Sequence, residues 1–220
     1  SIDIKLFYPG IKIPVRIHPL KYLFEATLFA VVITCQAQVV PVSFFSADSN
    51  LNKNRLALVI TSESVLYTGT MMGLTNLWYK DYPHSSFHFF NDNKEWLQMD
   101  KAGHLITAYN VGNIGINLLK WAGVNKRKAC WYGGLLGFVY QGSIEVLDGL
   151  SGEWGFSWGD FTANTLGSTL LIGQEILWEE QKMLFKFSMY PSKYPAYRPD
   201  VLGNNFIQQL IKDYNGQTYW

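Results

Sequence analysis

Residues 100–121 read DKAGHLITAYNVGNIGINLLKW, and this stretch decides the fold. Apolar residues recur through it with no proline to break the run, so it predicts one long helix. Asp100 stands near its start, where a carboxylate suits the helix dipole. Gly123 and the turn Asn125-Lys126-Arg127-Lys128 end it. Two more helices follow on the same grounds. One covers about Ala129–Asp148 and stops at Gly149. The other starts at Asp160, a capping or first-turn residue, and runs to about Gln181. With the apolar run 55–79 ahead of them, the chain predicts a compact all-α bundle of about four main helices.

The polar residues of these helices are not scattered. Asp100, Lys101 and His104 mark the first, and Asp100 and His104 share a face at i, i+4. Gln141, Glu145 and Asp148 follow at i, i+4, i+7 on the second. Asp160 and Asn164 stand one turn apart on the third. Short loops make sequential helices antiparallel. The start of the first, the end of the second and the start of the third then lie at one end of the bundle. Ser157 and Trp158, in the loop feeding the third helix, join them there. The candidate binding site is therefore Asp100, Lys101, His104, Gln141, Glu145, Asp148, Ser157, Trp158, Asp160 and Asn164.

Three chemistries fit that set. In a structural role, the groups hydrogen-bond one another and fix helix register, with Ser157 a turn or cap residue. In a binding role, they meet a ligand, and an imidazole with two carboxylates is a donor set that suits a divalent metal. No CxxC or His/Cys spacing commits the chain to a metal, and no cofactor motif is evident. In a catalytic role, His104 acts as base with Glu145 or Asp160 as orienter. No Ser or Cys sits in a recognisable nucleophile motif. Spacing alone does not choose among the three, so the enzyme question stays open at this point. Trp154, Phe156 and Trp158, set among Gly152, Gly155 and Gly159, suit a plug for the bundle's end, a lid over the site or a bilayer contact.

Composition narrows the setting. Of 220 residues, 48% are hydrophobic and only 16% charged, against about 25% in an ordinary soluble domain. That balance points to contact with a membrane or to an unusually apolar bundle, and a membrane or envelope component is the expected partner. A net charge of +1 gives no basis for binding nucleic acid. Residues 1–37 read as an export signal or N-terminal anchor: Lys5, Lys12, Arg16 and Lys21 precede the apolar Leu23–Thr34, and small residues follow to Ala37. Val32–Cys35 loosely resembles a lipoprotein box. Residues 38–54 form a polar linker, 55–182 the bundle domain, and 183–220 an extended tail with Pro191, Pro195, Pro199 and a short amphipathic helix at about 203–213. The first residue is Ser and the last are Gly216–Trp220, as expected of a fragment. Cys130 reads as a small buried residue, and Gly69 and Gly73 as close-packing core positions. His84 and His88 lack the helical setting that would align them on a metal, because Pro83, Ser85 and Ser86 interrupt it. The uncharged run Leu105–Leu119 falls short of the ~20 residues of a membrane span and holds three Asn. An exported bundle lying on a membrane conflicts least with these features; the alternative is an integral four-helix protein.

The same residues carry a family resemblance. Asp100-Lys101-Ala102-Gly103-His104, Ile144–Asp148 and Gly155-Phe156-Ser157-Trp158-Gly159-Asp160-Phe161 together resemble the YfiM-like predicted periplasmic lipoproteins, domain-of-unknown-function family 2279. A looser likeness, through Asp160-x-x-x-Asn164-x-x-Gly167, is to the VanZ-like membrane family. The resemblance implies an exported, membrane-associated helical protein and brings no established reaction. Asn164 stands where members of the first family can carry an acid, which departs from a multi-carboxylate metal site.

Overall fold

Asn52 opens the first helix of the main unit: its side-chain oxygen accepts from the Arg55 amide at 3.1 Å. In this computed structural model residues 2–4, 15–17, 44 and 46–220 are described. The chain divides into two compact units, Ser1–Ser46 and Ala47–Trp220. In the first, β1 (Ile2–Ile4) pairs antiparallel with β2 (Val15–Ile17). The expected signal segment Leu23–Thr34, Cys35 and Ala37 lie outside the described residues.

The second unit is helical, as expected, with short strands at its edges. α1 (Lys53–Gly73) runs into a π-helical turn, Leu74–Trp78. A loop with β3 (Phe89–Phe90) follows, and the chain enters α2 (Met99–Trp121) through Leu97 and Gln98, both left-handed at φ 51° and 62°. Next come α3 (Lys126–Gly134), α4 (Leu136–Gly149), β4 (Phe156–Ser157) and α5 (Trp158–Trp178). β4 pairs parallel with β3, Phe89 opposite Phe156. The tail holds β5 (Phe187–Met189), α6 (Pro199–Leu202), α7 (Phe206–Lys212) and β6 (Gln217–Tyr219). β5 and β6 pair antiparallel.

Helix boundaries differ from the sequence reading in four places. The single helix expected over Ala129–Asp148 is two, α3 and α4, meeting at Leu135. Gly133 and Gly134 precede the break and weaken the helix there, while the bare backbone of Gly133 lets α3 lie against α2 and that of Gly134 leaves room for Ile172 of α5. The Lys126–Lys128 stretch is the first turn of α3 rather than a loop, because Asn125 caps it by accepting from the Arg127 amide. Helix α5 starts at Trp158 rather than Asp160, because Ser157 is the cap. It ends at Trp178 rather than Gln181, where Glu179 turns left-handed at φ 56°.

Gly-backbone contacts set the spacing of the three central helices. A Cβ on Gly137 of α4 would overlap the Ala108 carbonyl of α2, and one on Gly167 of α5 would overlap the Leu105 carbonyl. Helix α4 runs antiparallel to α2, since Gly137 meets Ala108 while Glu145 reaches His104. Helix α5 runs parallel to α2, since Asn164 meets His104 and Glu175 meets Lys120. Tyr109, Ile116 and Leu171 form the core between α2 and α5, and Val59, Leu119, Ala122 and Ala129 a second one near α1. Cys130 is buried. Among the described residues nothing lies within 4 Å of a Cβ placed on Gly69 or Gly73, so the close-packing role expected for them finds no partner there. The tail returns along α2: Tyr109 Oη lies 3.0 Å from Gln181 Oε1 and 2.9 Å from the Met183 carbonyl.

Among the described residues, no helix is long and apolar enough to cross a membrane. The integral four-helix alternative therefore finds no support in them.

Gly137→Ala is expected to lower stability by about 1–3 kcal/mol, because the α2–α4 approach has no room for a methyl group. Gly142→Ala, on the same helix with nothing within 4 Å among the described residues, is expected to be neutral or to stabilise by up to about 1 kcal/mol. Denaturant midpoints of the two variants check this; equal losses would contradict it.

Candidate functional site

Lys101 is the hub of the polar end. Its side chain is 11% exposed, and its Nζ lies 2.5 Å from Asp92 Oδ2, 3.0 Å from Asp160 Oδ1 and 3.5 Å from Asp100 Oδ2. One ammonium thus ties together the β3–α2 loop, the start of α2 and the start of α5. Ser157 reinforces the same join. Its Oγ donates to Asp92 Oδ1 at 2.7 Å and accepts from the Asp160 amide at 3.1 Å. With its proton committed to Asp92, this hydroxyl is a cap rather than a nucleophile.

His104 occupies the other half of the site, between α2, α4 and α5. Its Nδ1 lies 3.1 Å from Asn164 Oδ1, 3.2 Å from Gln141 Nε2 and 3.4 Å from Glu145 Oε1. Its Nε2 lies 3.8 Å from Asp100 Oδ1. Nδ1 either donates to Asn164 or accepts from Gln141, so the tautomer chooses between these partners. Glu145 Oε2 accepts from the Ser157 amide at 3.2 Å, whereas Oε1 is buried and accepts no hydrogen bond. Asp148 points elsewhere: it accepts from Tyr79 Oη at 2.6 Å. Trp158 is largely exposed and stacks on Phe89, with centroids 5.7 Å apart and planes at 9°. Of its neighbours, Phe156 is buried and Trp154 sits edge-on to Tyr79 and Tyr82.

The fold thus brings Asp100, Lys101, His104, Gln141, Glu145, Ser157, Asp160 and Asn164 into one network. Asp148 borders it and Trp158 lies outside it. Three partners were not read from the sequence. Asp92 lies in the irregular Asn91-Asp92-Asn93 stretch, where no periodicity marks a face. Tyr79 follows a π-helical turn. Tyr214, which donates to Asp100 Oδ1 at 2.7 Å, comes from the tail 114 residues away.

Residues 88–173 match DUF2279, described as a predicted periplasmic lipoprotein. The resemblance seen in the sequence motifs is therefore shown for this segment. The DUF2279 segment runs from His88, ahead of β3, through most of α5 and contains Asp92 together with the whole network except Tyr79 and Tyr214. The family description supports a location in the cell envelope. No curated protein and no solved structure matches the chain.

Burial dominates the electrostatics of the DUF2279 segment. Glu145 is pushed up to about 9, first by burial and then by the neighbouring Asp160 and Asp148. Asp160 is pushed up to about 8 by burial and by Asp100 and Asp92, against the pull of Lys101. Asp148 rises to about 6 by burial, although the Tyr79 hydrogen bond opposes it. For Asp92, burial is outweighed by hydrogen bonds from Asp160, Lys101 and Ser157, which hold it below the usual carboxylate range. Burial likewise opposes the charge on Lys101, but Asp92 and Asp160 outweigh it and raise the ammonium above its ordinary value. At neutral pH the network therefore holds a charged Lys101–Asp92 pair beside neutral Glu145.

This has a signed consequence for stability. Glu145 in the unfolded chain ionises near its ordinary value of ~4.3, far below its folded value. Between the two, the folded state binds more protons, so stability falls as pH rises. Asp160 acts in the same direction. The melting temperature is expected to decline from about pH 5 to about pH 9. Glu145→Gln, neutral at every pH, is expected to flatten that slope and add about 1–2 kcal/mol at pH 8. Thermal unfolding across that range checks it; an unchanged slope in the variant would contradict the assignment.

Proposed function

We propose that the protein is a non-enzymatic, membrane-associated binding module of the cell envelope, and that its ligand is a lipid or lipid-linked wall precursor. The observation that carries this reading is a groove of about 610 Å³ between the starts of α2 and α5. Ala102, Leu105 and Leu166 give it an apolar side, and Trp158 also lines it. Asn93 and Gln98 give it amide groups at the polar side. Such a surface takes an amphipathic molecule, its chain along the apolar wall and its head at the amides. Lys101 also lines the groove, but its charge is matched by Asp92, which stays ionised. A neutral head rich in hydroxyls suits this setting better than a free anion.

In this reading the acid–imidazole network holds the helix ends that form the groove. The envelope location suggested by the family description supplies the ligand's setting. Lys126, Arg127 and Lys128 beside the exposed Trp131 and Tyr132 are the kind of basic and aromatic edge that meets a bilayer surface.

A second reading has its own observation. His104 lies between Glu145 and Asp100, and a carboxyl held neutral beside an imidazole is an acid–base arrangement. On this reading the protein is a hydrolase or transferase of an envelope lipid or glycan. Turnover of such a substrate that is lost in a folded His104→Ala variant would establish it.

Thr162 is exposed and lines the groove, so Thr162→Trp fills it with little risk to folding. Protein purified from its native envelope is expected to carry lipid, identified by mass spectrometry, and Thr162→Trp to carry at least tenfold less. Lipid at background level, or retained equally by the variant, would sink the proposal.

A further inference from the structure

Asp100 and His104 stand one turn apart on α2, and Asp160 lies in the first turn of α5. One ligand-capable atom from each lies within 4.8 Å of the other two. His104 Nε2 and Asp100 Oδ1 are 3.8 Å apart, too far for a hydrogen bond. The gap is near the ~3.4 Å between two donors of one tetrahedral ion with bonds of about 2.1 Å. Direct pairing has left the two groups apart at a spacing that an ion would bridge.

The far side of the imidazole fits the same use. Metal-bound histidines are held by their second ring nitrogen, which donates to a carboxylate or carbonyl oxygen. Here Nδ1 faces Asn164 Oδ1 at 3.1 Å and Glu145 Oε1 at 3.4 Å. The Glu145 side chain is 1% exposed, and its Oε1 accepts no hydrogen bond. A proton fixed on Nδ1 would meet that oxygen and leave Nε2 as a free lone pair toward Asp100.

We propose that Asp100, His104 Nε2 and Asp160 bind one divalent first-row transition-metal ion, with Glu145 and Asn164 orienting the imidazole. The mixed nitrogen and oxygen donors suit Zn²⁺ or Co²⁺ better than Mg²⁺. Lys101 keeps its pairing with Asp92 when the ion takes Asp160. Water or a ligand oxygen completes the coordination shell. The proposal does not depend on occupation of the groove by lipid.

The test uses the full chain stripped of metal and titrated with Co²⁺, followed by visible absorption, and with Zn²⁺, followed by calorimetry. The expected result is one ion per chain, a d–d absorption band carrying a nitrogen–oxygen ligand field, and at least tenfold preference for Zn²⁺ over Mg²⁺. His104→Ala and Asp100→Asn are each expected to weaken Zn²⁺ binding at least tenfold and to change the band. Asn164→Ala is expected to weaken it less, about threefold to tenfold, as a positioning residue does. Circular dichroism reports which variants fold. Asp100 is the most exposed of the three ligands and keeps an oxygen for Tyr214 as Asn, so that variant decides if His104→Ala does not fold. Absence of Zn²⁺ binding at millimolar metal, or equal binding by the folded Asp100→Asn variant, would overturn the proposal.

Discussion

The ammonium of Lys101 is the interaction on which the polar end of this protein depends. Three acids from three separate segments meet it: Asp92 from the β3–α2 loop, Asp100 beside it on α2, and Asp160 on α5. An ionised acid is costly to bury; the ammonium offsets that cost for Asp92, while Asp160 is pushed toward its neutral form. The same join fixes Ser157, which caps α5 and donates to Asp92. The start of α5 is thereby placed against the start of α2, and the groove between them follows from that placement.

Close backbone approach supplies the second constraint. Gly137 and Gly167 let α4 and α5 lie against the Ala108 and Leu105 carbonyls of α2. At that spacing, side chains one turn away must meet. Gln141 and Glu145 reach His104 from α4, and Asn164 reaches it from α5. Glycine contacts and polar contacts thus alternate along the same helix faces. The glycines decide the distance between helices, and the polar groups decide their register. Burial then drives Glu145 toward its neutral form and leaves the charge with Lys101 and Asp92.

Much of this was legible in the chain before any coordinates. The i, i+4 pairs Asp100/His104 and Asp160/Asn164 marked faces, and short loops turned those faces toward one another. Two kinds of information were not legible. Helix ends depended on which residue won the cap, and Asn125 and Ser157 each started a helix earlier than the apolar pattern did. Long-range partners depended on tertiary closure. Asp92 belongs to a loop with no repeat, and Tyr214 belongs to a proline-rich tail that read as extended. Neither carries a periodic signal, because neither uses a helix face to reach the site. Gly69 and Gly73 differ again: their spacing matches a packing motif, yet among the described residues nothing lies within 4 Å of a Cβ placed on either.

The network therefore links envelope-family motifs, helix placement and the groove through a single buried cation. The direct test of that claim is the chemical denaturation of Lys101→Met at neutral pH. Methionine keeps much of the stem's volume while leaving Asp92, Asp100 and Asp160 without their ammonium. The expected result is a loss of about 3–5 kcal/mol, the size seen when one partner of a buried ion pair is removed. A midpoint unchanged within about 0.5 kcal/mol would show that Lys101 is not what holds this end of the bundle together.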